Sequence, residues 1–222
     1  MAQRESVLMS WSGGKDSAVA LHALQREGRE IAGLMTMVAG DADRVSVHGV
    51  PRALVRRQAE ALGLPLFEVV LPSRPSNVAY EAAIGALFDA QRAAGVGTVA
   101  FGDLFLEDIR AYRDGLCARL GMRPIYPVWG RATRGFAADG LAAGFRTVLC
   151  CVDLARLDLS FAGREFDTAL LADLPAGVDP CGENGEFHTC VVAGPMFVHR
   201  LAVTTGERVE RDGYAYCDLV IS

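Results

Sequence analysis

The chain has 222 residues, of which 51% are hydrophobic and 22% are charged, a composition typical of a globular protein rather than a disordered one. The formal net charge of -5 and the lack of a Lys/Arg block argue against a surface that binds nucleic acid electrostatically. No stretch approaches the roughly 18 apolar residues of a membrane span, and the N-terminus lacks the apolar region of a signal peptide. We therefore expect a cytoplasmic protein without a membrane partner.

The cysteines favour the same compartment. No two of them form a C-x-x-C pair, and none has the spacing of a Cys/His zinc site. We expect reduced thiols, as is usual in cytoplasmic proteins. The six residues are Cys117, Cys150, Cys151, Cys181, Cys190 and Cys217.

Strand-like and helix-like segments alternate in the first half of the chain. Such alternation is typical of crossover units that build a parallel sheet covered by helices, in which ligands bind at the carboxyl ends of the strands. The predicted strands are 6–11, 31–38, 65–72 and 97–103. One predicted helix begins at Lys15, and three more run over 51–62, 77–94 and 107–120.

The second half of the chain changes character after residue 122. A segment rich in proline and aromatic residues is followed by a short helix near 136–142, a strand at 146–153 and a short helix near 166–173. Alternating, strand-like sequence continues to the end, including VVAGPMFVHRLAV (191–203). We predict an α/β fold with two domains. We expect residues 1–121 to form a Rossmann-like, parallel-sheet domain and residues 122–222 to form a smaller C-terminal α/β domain.

The segment SGGKDS follows the first predicted strand. It does not fit the G-x-x-x-x-G-K-[ST] loop, because Lys15 is followed by Asp16, and it lacks the spacing of G-x-G-x-x-G. It still suits a phosphate, since glycines allow backbone N–H groups to face an anion and the following helix points its positive end there. The alternative is a strand-to-helix turn with a good cap. The predicted binding residues are Ser12, Gly13, Gly14, Lys15, Asp16 and Ser17.

Two further groups follow from this placement. Gly102 and Asp103 come directly after the fourth strand, so we expect them at the same sheet edge as the loop. Asp108 and Arg110 are candidates to contact an acceptor substrate, although an exposed, charged helix start explains them equally well. His48 is a candidate to bind near the nucleotide, with a surface or capping role as the alternative.

The spacing of SGGKDS resembles the pyrophosphate loop of the adenine-nucleotide alpha-hydrolase superfamily. Members of that superfamily cut ATP between the α- and β-phosphates, adenylate a substrate and release pyrophosphate. The resemblance implies that the loop holds the departing pyrophosphate, with Lys15 stabilising it. Asp16 either caps the helix or approaches a magnesium ion.

A second polar motif lies in the loop DPCGENGEFHT (179–189). Glu183 and Glu186 flank Asn184 and a glycine, with His188 close by, and carboxylates in such a turn suit magnesium, an ammonium group or proton transfer. The alternative is a polar turn that caps the next strand. On chemistry alone the two interpretations are equally well supported.

Resemblance to a family favours the first interpretation. The match to the diphthine–ammonia ligase family runs nearly end to end, and SGGKDS together with GENGEFHT is specific to it. The other matching segments are VHGV (47–50), FGD (101–103), PVW (127–129), AAGF (142–145), AGREFD (162–167) and GPMF (194–197). The segment GDLFLEDIRAYR (102–113) departs from the archaeal and eukaryotic pattern and looks more like the bacterial branch of the family, whose acceptor is not settled.

The resemblance implies an ATP-dependent, AMP-forming amide ligase that uses Mg²⁺, adenylates a carboxylate and couples it to ammonia. It also implies that ATP binds to the N-terminal domain, 1–121, and that the C-terminal domain, 122–222, closes the substrate cleft. Lys15, Glu183 and Glu186 are its implied catalytic residues, and Asp108, Arg110, Asn184 and His188 are the candidates to contact the substrate. A tRNA-modifying enzyme with a related loop and a non-catalytic ATP-binding sensor remain as alternatives. The sequence leaves a monomer and a homodimer both open.

Overall fold

The computed structural model describes residues 5–45 and 49–221. The predicted nucleotide contact of His48, and the first two residues of the VHGV motif, lie outside the described residues.

The first sheet is parallel except for one short strand, as predicted. Strand β1 lies at its centre between β2 and β5, with β4 beyond β2 and β6 beyond β5. Strand β3 pairs antiparallel with the end of β2. The bounds are β1 Ser6–Ser10, β2 Glu30–Ala39, β3 Arg44–Val45, β4 Leu66–Leu71, β5 Thr98–Ala100 and β6 Arg123–Ile125. The sequence did not predict β3 or β6, which have two and three residues.

The helices begin and end close to the predicted positions. Pro51 precedes α2, and Gly63 ends it in the left-handed conformation with φ of 64°, which a glycine adopts without steric penalty. The bounds are α1 Lys15–Arg26, α2 Arg52–Leu62, α3 Asn77–Ala93, α4 Glu107–Arg119, α5 Thr133–Ala142 and α6 Thr168–Asp173. Among the described residues, no helix is both long and apolar enough to cross a membrane.

The second sheet is antiparallel and has the strand order β8-β7-β10-β9. Its bounds are β7 Arg146–Asp153, β8 Phe187–Ala193, β9 Val203–Arg211 and β10 Tyr214–Ile221. The sequence predicted β7 with the observed bounds. The stretch VVAGPMFVHRLAV is strand as far as Ala193 and again at its last residue, Val203, where β9 begins. Gly194 and Pro195 interrupt it, because proline has no N–H to donate to a ladder.

The two sheets share one apolar core. The side chains of β1 alternate, so that Val7 and Met9 face the core that contains Leu149 and Val191 of the second sheet. Leu8 faces a second core, beneath α3 and α4. The parallel sheet is thus covered on one face by helices and on the other by α1, α2 and the C-terminal sheet.

Strand β6 pairs with β5 through Thr98–Ala100 and therefore continues the first sheet past residue 121. A division of the chain at 121/122 stays a prediction. All six cysteines lie among the described residues and are buried, and no disulfide joins them.

Candidate active site

The SGGKDS segment forms the turn from β1 into α1. Gly13 has a φ of 80°, a left-handed conformation that favours glycine. Gly14 is the N-cap of α1 and supplies no capping side chain. Because the first N–H groups of a helix lack partners within the helix, they favour an anion at this end.

One side of this loop carries hydroxyl groups. The Gly14 N–H donates to Ser12 Oγ over 3.3 Å, and Ser12 Oγ lies 3.3 Å from Ser17 Oγ. Ser17 Oγ also donates to the Gly14 carbonyl oxygen over 3.0 Å. Two hydroxyls and an amide therefore gather on one side, and these are groups that donate hydrogen bonds to phosphate oxygens.

The opposite side of the loop is held by residues from distant parts of the chain. Val191 N–H donates to the Gly13 carbonyl oxygen over 2.8 Å, and Gln58 Nε2 donates to the same oxygen over 3.0 Å. Thr189 Oγ1 accepts from the Lys15 N–H over 3.1 Å. Strand β8, which carries the end of the second motif, thus packs directly against the first motif.

The side chain of Lys15 is buried and reaches the second motif. Its Nζ donates to the Cys181 carbonyl oxygen and lies 2.9 and 3.0 Å from the two carboxylate oxygens of Asp16. The rings of Phe187 and Phe166 flank the ammonium, with centroids at 5.6 and 6.0 Å. Burial by itself lowers the pKa of Lys15, but the charges of Asp16 and other nearby groups outweigh it and raise that pKa. Lys15 therefore stays charged and links the two motifs.

Gly102 and Asp103 lie beside this loop, as expected from their place after β5. A Cβ atom on Gly102 would sit 2.9 Å from backbone atoms of Asp16 and Ser17, so only glycine fits there. Burial raises the pKa of Asp103, while its ion pair with Arg113 opposes the shift. Burial raises the pKa of Asp16 as well, against the opposing charge of Lys15.

The loop 179–186 is organised by the carboxylate of Glu186, which is fully buried. One oxygen accepts from the Asp179 N–H and from Asn184 Nδ2, both over 3.0 Å. The other accepts from the Asn184 N–H over 2.9 Å. Burial by itself raises the pKa of Glu186, but these hydrogen bonds outweigh it, and the pKa is lowered. Both oxygens of Glu186 are thus engaged by its own loop.

Glu183 has a different environment. Burial, followed by the charge of Asp16, raises its pKa to about 8, while Lys15 opposes the shift. A carboxyl group with a pKa in this range gains and loses a proton near neutral pH, which suits general acid–base chemistry. Of the two predicted carboxylates, Glu183 is therefore the one that gains and loses a proton near neutral pH.

The remaining residues predicted in this motif differ in exposure. Asn184 is exposed and holds the Glu186 carboxylate. Burial, with a contribution from Lys15, lowers the pKa of His188 to about 4. His188 is therefore a neutral imidazole at neutral pH.

The predicted acceptor contacts lie on α4. Asp108 is exposed on its first turn. The Arg110 guanidinium lies over the rings of Trp129 and Tyr126, 4.5 and 4.8 Å from their centroids. Its Nε is 3.7 Å from Asp114 Oδ2. The two predicted residues therefore share one helix, but only Arg110 is fixed by aromatic contacts.

The residues around Asp16 do not form a metal site of their own. The Lys15 ammonium lies within 3.0 Å of both Asp16 oxygens and competes with any cation for them. In the described parts of the chain, no three His, Cys, Asp or Glu side chains cluster in a way that would hold a metal ion. The assignment of Asp16 to Mg²⁺ stays a prediction.

Two residues at this site were missed by the sequence analysis. Gln58 lies among the buried residues of α2, between Val55 and Ala59, so a polar residue on an apolar helix face was the available signal. Thr189 is the last residue of the second motif, but no sequence pattern pairs it with Lys15, which is 174 positions away.

A parallel sheet with a glycine loop between its central strand and the next helix defines an α/β protein of the nucleotide-binding type. Models of the diphthamide synthase N-terminal and C-terminal domains match residues 5–124 and 136–220. The chain belongs to the diphthamide synthase family. This confirms the family predicted from the two motifs.

Curated relatives carry the name diphthine–ammonia ligase. The Schizosaccharomyces pombe protein is 24% identical, and the match covers 95% of this chain but only 38% of that protein. The Rattus norvegicus protein is also 24% identical, over 92% of this chain and 85% of its own length. These matches support the predicted class of enzyme, an ATP-dependent ligase.

One solved structure is similar at a more distant level. It is described as the predicted subunit of tRNA methyltransferase from Methanocaldococcus jannaschii. The TM-score is 0.44 at 19% identity, with 86% of this chain and 97% of that chain covered. We draw no conclusion from a likeness of this size.

Proposed function

We propose that the protein is an AMP-forming amide ligase that uses ATP to adenylate a carboxylate and then couples the carboxylate to ammonia. The observation that carries this proposal is the contact between the two motifs. Lys15 of SGGKDS meets Cys181 and Thr189 of the second motif, so a phosphate-binding loop and a titratable carboxylate lie at one place. The names of the relatives support the same class of reaction.

The phosphates of ATP are proposed to bind on the hydroxyl side of the loop, at Ser12, Ser17 and the Gly14 N–H. The positive end of the α1 dipole, where the N-cap Gly14 supplies no capping side chain, favours negative charge there. Mg²⁺ usually binds to nucleotides through phosphate oxygens and water with few protein ligands, which agrees with the lack of a protein-held cluster around Asp16. The Lys15 ammonium faces the second motif and is proposed to hold the two motifs together.

In the amide-forming step, Glu183 is proposed to receive a proton. The nitrogen of ammonia attacks the acyl carbon, the C–N bond forms and the bond from that carbon to the AMP oxygen breaks. The proton lost by nitrogen passes to the Glu183 carboxylate. The raised pKa of Glu183 supports this role. The engagement of both Glu186 oxygens supports a positioning role for Glu186, with Asn184 and Asp179.

The acceptor carboxylate is proposed to approach along α4, where Arg110 is held over two aromatic rings. A guanidinium fixed in this way is suited to bind a carboxylate without losing much side-chain entropy. Asp103 and Gly102 lie between this helix and the loop. The acceptor is either a protein side chain, as the relatives' name indicates for those proteins, or a small acid such as a corrinoid carboxylate.

The test is AMP formation. Purified protein is incubated with ATP, magnesium, ammonium and cell extract, and AMP is quantified by chromatography with and without ammonium. Glu183→Gln is expected to lower ammonium-dependent AMP formation at least about tenfold, since general-base catalysis contributes at least this much. Glu207→Gln, an exposed glutamate on β9, is the matched control and should leave the rate unchanged.

The outcome separates the proposed ligase from its rivals. ATP binding without AMP release in any extract would favour a nucleotide sensor and contradict the proposal. AMP release that requires added tRNA but not ammonium would favour an RNA-modifying enzyme. Equal rates for Glu183→Gln and the wild type would remove Glu183 from the mechanism.

A further inference from the structure

Gln58 uses its whole amide group behind the phosphate loop. Its side chain is fully buried. The Oε1 accepts from the indole Nε1–H of Trp11 over 2.9 Å. The Nε2 donates to the carbonyl oxygens of Gly13 and Val191 over 3.0 and 2.8 Å. One acceptor and two donors are thus all occupied, and glutamine offers this combination at this length.

The contact with Gly13 sets the direction of a neighbouring amide. The peptide unit is planar and trans, so its C=O and its N–H point in opposite directions. The Gly13 carbonyl is drawn inward by Gln58 and by the Val191 N–H. The N–H of Gly14 must therefore point outward, to the side where the hydroxyls of Ser12 and Ser17 lie.

The fit between Gln58 and the loop is close. A Cβ atom on Gly13 would sit 2.8 Å from Gln58 Oε1, so the loop approaches the amide as closely as a glycine allows. The same Nε2 bonds to Val191 of β8, and β8 also carries Thr189, which binds the Lys15 N–H. Gln58 therefore joins the loop to the strand that follows the second motif.

We propose that Gln58 is a positioning residue that turns the Gly14 N–H toward the β- and γ-phosphates of ATP, and that it makes this orientation depend on the docking of β8. The proposal rests on the proposed function, because it requires the loop to bind pyrophosphate. Gln58 contacts no phosphate itself and acts through the Gly13–Gly14 peptide.

Calorimetric titration tests the proposal without any knowledge of the acceptor. The ligands are inorganic pyrophosphate, ATP and AMP, each with magnesium, and AMP lacks the two phosphates placed in the loop. Gln58→Leu is expected to weaken pyrophosphate and ATP binding about tenfold, an effect typical of losing one buried hydrogen-bonded anchor, and to leave AMP binding within about twofold of the wild type. A general loss of structure would instead weaken all three ligands together.

Two further variants keep the test decisive. Gln91→Leu replaces another buried glutamine, in α3, and should leave all three affinities unchanged. Trp11→Phe removes only the donor to Gln58 Oε1 and should weaken the binding of pyrophosphate about two- to threefold. This variant tests the role of Gln58 if Gln58→Leu does not fold. Wild-type affinity for pyrophosphate in both Trp11→Phe and a folded Gln58→Leu overturns the inference. A wild-type protein that binds neither ATP nor pyrophosphate would overturn the proposed function, and this inference with it.

Discussion

The two loops of the site are stabilised in opposite ways. The loop at 12–17 is held from outside, by Gln58 and by strand β8, across separations from 45 positions for Gln58 and Gly13 to 178 positions for Val191 and Gly13. The loop at 179–186 is held mainly from within, by carboxylates that accept from backbone groups two to seven positions away. The two glycines of the first loop have no side chains. The hydroxyls of Ser12 and Ser17 bond to Gly14, and the carbonyl of Gly13 is held by distant contacts, whereas the acidic loop carries its own acceptors.

The largest effect is expected when the contact between the two loops, made by the Lys15 side chain, is removed. Lys15→Met deletes the ammonium and leaves the Asp16 carboxylate without its cation. Removing one partner of a buried ion pair commonly lowers the free energy of unfolding by about 3–5 kcal/mol, and we expect a loss of that order in urea denaturation at pH 7.

The double variant with Lys15→Met and Asp16→Asn provides the control. It removes the unpaired charge and should recover a good part of the lost stability. If the single variant lies within about 1 kcal/mol of the wild type, the Lys15–Asp16 pair does not stabilise the fold in this way.

A smaller effect is expected inside the acidic loop. Glu186→Gln replaces one accepting oxygen with an NH₂ group that faces the N–H donors of the loop. An unsatisfied buried group costs about 1–3 kcal/mol, and the N–H groups of Asp179 and Asn184 should exchange with solvent deuterium faster. Glu210→Gln, at an exposed position on β9, should change neither quantity. Unchanged exchange in the Glu186 variant would contradict the claim that this carboxylate organises the loop.

The effect predicted for Glu183 has the opposite sign and depends on pH, because replacing this residue stabilises the protein at high pH. Its folded-state pKa of about 8 lies above the ordinary value of 4.5. The neutral form is therefore favoured in the folded state, and the stability that Glu183 contributes is present below pH 4.5 and is lost as the pH rises through 8. Glu183→Gln should match the wild type near pH 4.5 and be the more stable protein at pH 9, by a few kcal/mol for a pKa shift of this size, with a correspondingly higher Tm.

Thermal unfolding followed by circular dichroism across this pH range measures the difference. A gap between the two proteins that stays constant with pH would show that Glu183 does not titrate as described. A variant that is less stable at pH 9 would reverse the assigned cause.

Much of the fold was predictable because it depends on local patterns. Apolar runs predicted β1, β2, β4 and β7, and proline and glycine predicted the two ends of α2. The short strands β3 and β6 were missed because two or three residues are too few to show a period. The end of β8 was placed too late, since alternation in the sequence continues past Gly194 and Pro195.

The candidate site was predictable only in part, for a different reason. Residue types identified SGGKDS and the two glutamates, and family resemblance joined them. Which atoms meet depends on tertiary contacts that no spacing encodes. Only the three-dimensional structure shows that the Lys15 ammonium points toward the Cys181 carbonyl. The same holds for the contact between the buried amide of Gln58 and the Gly13 carbonyl.

The contacts made by β8 bear on how the protein matures during synthesis. The residues of the phosphate loop have all left the ribosome early, but its partners Cys181, Thr189 and Val191 emerge more than 160 residues later. Contacts with such large separation form late and slow the folding of a chain. A nascent chain that carries the complete first sheet therefore still lacks the contacts that hold the 12–17 loop, because their partners lie in about the last fifth of the chain.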